Sequence, residues 1–145
     1  MSNELFEGHY EYGELLGRLP WQASIPIEVR LHAGRQEFGL LPTRLDSGAD
    51  RCYFHRAIGE ALGFEFADSP EQIGTGGSRV PGWSREVEIV VPAWQVGGEA
   101  IRLSATVCFV DGREDLALLG LVGFFDHFVL KIDDAAQQLW WRRRR

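Results

Sequence analysis

Apolar residues recur at every second position in three separate stretches, and that period constrains the fold more than any other feature of the chain. Ile25, Ile27, Val29 and Leu31 alternate with Pro26, Glu28, Arg30 and His32. Val87, Ile89 and Val91 form a second set, and Ile101, Leu103, Ala105, Val107 and Phe109 a third. A period of two places one side of an extended chain in a core and the other in water. The stretches are bounded by Ala33-Gly34-Arg35 and Gly97-Gly98, residues suited to tight turns, so hairpins are expected. Glu37 to Leu45 is the returning strand of the first hairpin. Leu116-Ala117-Leu118-Leu119-Gly120 is an uninterrupted apolar run, as in a strand buried on both faces.

Helical signals are few. Arg51 to Phe54 fits a short strand, and His55 to Leu62 fits one helix ending at Gly63, a residue type that accepts a left-handed C-terminal position. A second short helix is expected around Phe124 to Phe128. A final hairpin, Val129 to Ile132 and Gln137 to Trp141, turns at Asp133-Asp134. With 145 residues there is material for one core. The expected architecture is a single mostly β domain over residues 21–141, preceded by an acidic extension over 1–20 and followed by the basic tail Arg142-Arg143-Arg144-Arg145.

Charge and composition narrow the function classes. The net charge is −6, which argues against a surface that tracks phosphates, so no nucleic-acid partner is expected. No run of eighteen uncharged residues is present, and Met1 to Glu7 has neither a basic start nor an apolar segment. No membrane partner is expected, and a cytoplasmic location follows by default. Cys52 and Cys108 are the only cysteines and are expected to be reduced. Cys52 and His55 have the spacing of one pair of zinc ligands but no second close pair, so neither a metal nor another cofactor is expected. Asp126, Asp133 and Asp134 lack the graded spacing of a calcium loop.

The chemistry concentrates in Leu45-Asp46-Ser47-Gly48-Ala49-Asp50, a turn that ends an apolar strand. Gly48 lets the backbone pass Asp46 without a side chain, and the Ser47 hydroxyl can hydrogen-bond a neighbouring turn. The motif occurs once. Ile73-Gly74-Thr75-Gly76-Gly77-Ser78-Arg79-Val80-Pro81-Gly82 has too few side chains to pack as core and reads as a mobile hairpin or loop.

In order and spacing, these blocks resemble the retropepsin-like aspartic proteases, the single-domain family that includes retroviral proteases and bacterial members. Leu45 to Asp50 is similar to that family's apolar-Asp-Thr/Ser-Gly-Ala loop. Arg56 to Gly63 is similar to the helix that bacterial members carry after it. Ile73 to Gly77 falls at the glycine-rich flap, Leu118-Leu119-Gly120 at the second family motif, and Phe124 to Asp133 at the helix and strand that follow. The resemblance spans roughly Trp21 to Trp141 and implies a closed β-barrel with one or two short helices and a flap hairpin.

It also implies a homodimeric endopeptidase. Asp46, Ser47 and Gly48 of each chain would form the catalytic loop, and two Asp46 carboxylates would share one site. Asp50, Ile73, Gly74, Thr75, Gly76, Gly77 and Trp83 would hold a peptide or protein substrate. Three departures from the family pattern are visible. Arg44 stands where an apolar residue is usual, Ser47 replaces the commoner threonine, and Leu121 follows Gly120 where retroviral members have an arginine. Asp50 is therefore expected to pair with Arg51 or Arg56. A second reading is a catalytically silent module of the same architecture that binds an extended segment or dimerises. Titration separates the two, since a shared carboxylate pair loses its protons in two separate steps and a lone turn aspartate in one.

Overall fold

The computed structural model describes residues 5–13, 25–75, 77–113 and 116–145. Residues 1–4 and 14–20 of the expected extension, residues 21–24 at the start of the expected domain, Gly76 of the glycine-rich hairpin and residues 114–115 lie outside the described residues.

Among the described residues, ten strands and two short helices follow in chain order. They are β1 (Gly8–Glu11), β2 (Ile25–Ala33), β3 (Gln36–Leu45), β4 (Tyr53–His55), α1 (Arg56–Ala61), β5 (Glu71–Thr75), β6 (Ser78–Val91), α2 (Ala93–Val96), β7 (Ile101–Val110), β8 (Ala117–Leu119), β9 (Phe128–Asp133) and β10 (Gln138–Arg143). A 3₁₀ turn, Phe125–His127, precedes β9. No helix among the described residues is long and apolar enough to cross a membrane.

Seven strands form one sheet in the order β2-β3-β8-β4-β7-β6-β5, and β2 also pairs with β6. That last pairing closes β2, β3, β8, β4, β7 and β6 into a six-stranded barrel and leaves β5 outside on β6. The closure depends on an irregularity in β2. Between Val29 and Leu31 its register with β3 shifts, and Arg30, Leu31 and His32 pair with Val90, Ile89 and Glu88 of β6. A bulge bends a strand in this way, so one strand serves both neighbours at the barrel corner.

Burial follows the period-two pattern. In β7, Ile101, Leu103, Ala105 and Val107 are buried while Arg102, Ser104 and Thr106 are exposed. Cys108 to Val110 break the alternation and are all buried. There the strand runs between β4 and β6, with Phe64 and Phe66 against Phe109 on one side and Ile73 with Cys108 and Val110 on the other. The helix after β4 begins with the His55 side chain accepting the Ala57 N–H at 3.1 Å, and Gly63 beyond it has a φ of +89°.

A second sheet, β1-β10-β9, lies against one end of the barrel. Part of the expected extension is therefore a strand, with Gly8 to Glu11 opposite Trp141 to Gln138. Tyr10 donates to Pro26 O at 2.7 Å and Trp141 Nε1 to Val96 O at 3.2 Å, which ties this sheet to the barrel. Burial, then the nearby Glu28 carboxylate, pushes the Tyr10 phenol above its ordinary range. The arginine tail is likewise partly strand, because Arg142 and Arg143 pair with Val129 and Phe128, and Arg145 lies 3.7 Å from Glu7.

Candidate active site

β3 ends at Leu45, and the chain then turns within the width of one loop. Asp46 N–H donates to Leu119 O at 2.9 Å, which pins the start of the loop to β8. Asp46 Oδ1 accepts the Gly48 N–H at 2.8 Å, and Ala49 N–H closes the turn on Asp46 O at 3.1 Å. An aspartate that bonds the backbone two residues ahead holds both its own carboxylate and the turn in one conformation. A Cβ on Gly48 would sit 3.1 Å from that carboxylate oxygen, so the glycine keeps the approach to it open. Ser47 and Gly48 are exposed and Asp46 is half-buried.

The continuation of β8 supports the loop from the other side. β3 and β8 are parallel, with Arg44 opposite Leu118 and Leu45 opposite Leu119. Beyond β8, Leu121 N–H donates to Ala49 O at 2.9 Å and Val122 N–H to Asp50 O at 3.0 Å. Gly120 passes so close that a Cβ there would lie 2.2 Å from Arg51 O and 2.7 Å from Ala49 O. The two glycine-containing motifs, more than seventy residues apart in the chain, thus form one hydrogen-bonded unit.

Asp50 finds a partner that the sequence did not announce. Tyr53 OH donates to Asp50 Oδ1. Arg51 stands one step further away, with Nε 3.5 Å from the Tyr53 hydroxyl. Arg56 points elsewhere, to Glu60 at 2.8 Å and Asp111 at 3.4 Å. The expected pairing of Asp50 with Arg51 or Arg56 is therefore replaced by a tyrosine relay, because Tyr53 shares the outer face of the strand with Arg51 while Cys52 and Phe54 point inward. Burial and the Asp50 bond both raise the Tyr53 pKa. Replacing Tyr53 by Phe is expected to remove the exposed bond to Asp50 together with the long one from Arg51, at a cost of about 1 kcal/mol, measurable by urea denaturation.

β5 and β6 form the glycine-rich hairpin, with Thr75 opposite Ser78 at its end. A Cβ on Gly74 or Gly77 would meet nothing within 4 Å, so the tip stands clear of the barrel. Its base is less free than the glycine content suggests. Ile73 is buried against Cys108 and Val110, and Glu71 receives two bonds from Arg51. Trp83 is 6% exposed, stacks 5.2 Å from Phe66, lies beneath the Arg56 guanidinium at 4.7 Å and donates to Asp68 O at 2.9 Å. The indole therefore sits within the fold under the hairpin.

Asp68 is held by Arg85 at 2.6 Å and Glu71 by Arg51 at 3.1 Å. Hydrogen bonds from those arginines lower both carboxyl pKa values. A carboxylate whose folded pKa is depressed stabilises the fold above its unfolded pKa, and this contribution fades as pH falls through the folded value. Both ties are accordingly expected to persist to the acid side of ordinary carboxylate titration, with carboxyl chemical shifts of Asp68 and Glu71 as the readout.

Neither sulfur is set up as a ligand or nucleophile. Burial pushes the Cys52 thiol up to about 11, and its Sγ faces Val122 O at 3.7 Å. Cys108 is buried and its pKa is raised for the same reason. Among the described residues, no group of three His, Cys, Asp or Glu side chains could hold a metal ion. Asp126 accepts the Gly123 N–H at 3.0 Å, as a capping residue does.

Among the groups that shape the site, Tyr53, Glu71 and Ser84 were not marked by sequence reasoning. The alternation Arg51, Cys52, Tyr53, Phe54 could have indicated Tyr53. Nothing local marks Glu71 or Ser84, which reach the site through the tertiary fold.

No protein-family model and no curated protein matches the sequence. Among solved structures, the chain is similar to a retropepsin-like aspartic protease from Rickettsia conorii, with a TM-score of 0.55 and 14% identity. That similarity covers 80% of this chain and 89% of the other. With the six-stranded barrel, the hairpin outside it and the loop of Asp46 beside Gly120, the likeness establishes that the chain has the retropepsin-like fold.

Proposed function

We propose that the protein is an aspartic endopeptidase that works as a homodimer, each chain supplying Asp46 to a shared site. The observation that carries this reading is the fixed carboxylate of Asp46 at the end of β3, in a loop braced by Leu119 to Val122 within a retropepsin-like barrel. Peptide hydrolysis without a covalent intermediate needs a base to take a proton from water and an acid to give one to the carbonyl oxygen. One carboxylate cannot do both at once. Two close carboxyls sharing a proton can, since like charges a few ångströms apart do not both ionise readily; aspartic proteases are the general example of this behaviour.

In the proposed cycle the ionised Asp46 of one chain accepts the proton of the attacking water, and the protonated Asp46 of the other donates to the carbonyl oxygen. Breakdown of the tetrahedral adduct returns a proton to the leaving amine. Ser47 and Gly48 hold the loop, and Asp50, Ile73, Gly74, Thr75, Gly76 and Gly77, backed by Trp83, are the proposed peptide-holding set. An extended peptide would add to these strands by backbone hydrogen bonds. A cytoplasmic setting, in which Cys52 and Cys108 remain thiols, belongs to the same proposal.

In this reading the second chain sits against the residues that follow β8. Leu121 and Val122 are 46% and 59% exposed and are bonded through their backbones to Ala49 and Asp50. Two apolar side chains in water beside a half-site favour a twofold contact there. Val122→Asp is expected to shift the sedimentation equilibrium toward monomer by at least about tenfold, because a carboxylate would face its own copy across the axis. Peptide-library cleavage between acidic and neutral pH, with Asp46→Asn as the control, tests the activity itself.

A further inference from the structure

Beside the proposed catalytic loop, charged and polar groups form a connected set that joins the loop to the hairpin. Arg51 directs Nη1 and Nη2 to the two oxygens of Glu71 at 3.3 and 3.1 Å, a forked contact. Nη1 also approaches Ser84 Oγ at 3.3 Å, and Ser84 donates to Glu71 Oε1 at 3.0 Å. The guanidinium lies 5.6 Å over the Tyr53 ring, and Tyr53 in turn holds Asp50. The backbone of Arg51 is bridged to Val122, so the arginine projects from the braced part of the loop.

The position of this contact is informative. β5 is the outermost strand of the seven-stranded sheet and pairs with β6 alone. Its first residue is Glu71, where the hairpin leaves the barrel. Besides the Ser84 bond to Glu71, two anchors hold it near that base: the Ile73 side chain, in an apolar contact that permits sliding, and the Arg51–Glu71 fork, which fixes direction as well as distance. We infer that Arg51 and Glu71 are positioning residues, a latch that sets where the hairpin stands relative to the loop of Asp46. This rests on the reading of the hairpin as a cover over bound peptide.

A latch of this kind acts on binding before it acts on chemistry. Without it the hairpin samples more positions, and the fraction of chains ready to close on a peptide falls. The pair is partly exposed, with Arg51 and Glu71 side chains 26% and 52% accessible, so the expected effect is modest. Arg51→Ala and Glu71→Gln should each raise KM about fivefold with kcat changed by less than about twofold, and Arg51→Lys should recover part of the loss because it keeps the charge without the fork.

The decisive measurement is amide hydrogen exchange in the full chain. Exchange at Gln72 to Thr75 and at Gly77 to Val80 should quicken about fivefold in Arg51→Ala and in Glu71→Gln. The double variant should be no faster than either single one, and β7 amides should be unchanged. Hairpin exchange equal to wild type, or additive effects in the double variant, would overturn the latch. Because Asp46→Asn leaves the pair intact, its hairpin exchange should match wild type. If no peptide is cleaved yet the single variants loosen the hairpin, the proteolytic reading fails and the latch stands. If peptide is cleaved and hairpin exchange is unaltered in those variants, the latch fails and the protease remains.

Discussion

Asp46→Asn is expected to abolish peptide cleavage, lowering kcat/KM by about 10³-fold or more, while the protein unfolds at the wild-type temperature. Position-specific acid and base catalysis each contribute roughly 10²–10⁴-fold, and in a homodimer one substitution removes both groups together. Stability should change by less than about 0.5 kcal/mol, since the asparagine carbonyl can still accept the Gly48 N–H that Asp46 Oδ1 accepts at 2.8 Å. The two readouts must be taken on the same preparation. Cleavage within tenfold of wild type would remove Asp46 from the mechanism and leave the silent, segment-binding module as the better account.

Gly120→Ala should be the most damaging methyl group in the site, destabilising the chain by about 3 kcal/mol. The added carbon would sit 2.2 Å from Arg51 O and 2.7 Å from Ala49 O. Both obstacles are backbone atoms of a loop held by bonds from Leu121 and Val122, so neither can rotate away. Unfolding should begin roughly 10 °C lower in calorimetry. Gly74→Ala, where an added carbon meets nothing within 4 Å, should stay within about 0.5 kcal/mol of wild type. Activity should fall in Gly120→Ala even well below its melting temperature, because displacement of Ala49 and Arg51 also displaces the carboxylate. A Gly120→Ala protein as stable as wild type would contradict the close threading of β8 through the loop.

Much of the barrel was legible because its strands are half-buried and therefore alternate. β2, β3, β7, the second half of β6 and the terminal hairpin fall where the apolar period and the turn residues put them, while β6 also runs unbroken back through the glycine-rich hairpin to Ser78. The one-turn helix Ala93–Val96 has no sequence signal of its own beyond the Gly97-Gly98 turn that follows it, since four residues are too few to show a helical period. The strand Gly8–Glu11 was obscured for a different reason. Its pairing partner lies at the other end of the chain, and no local pattern records a contact between Tyr10 and Leu139.

For the site, residue order alone was enough to mark the Asp-Ser-Gly turn, its place after an apolar strand, its single occurrence and the glycine-rich segment downstream. Those are properties of neighbouring residues, set by backbone freedom, hydrogen-bonding side chains and alternation. That Gly120 lies against Arg51, that Tyr53 serves Asp50, and that Arg51 reaches across to Glu71 follows from the folded arrangement. Such contacts join residues far apart in the chain, and their energy depends on distances and directions fixed when the barrel closes. A list of residue types carries neither.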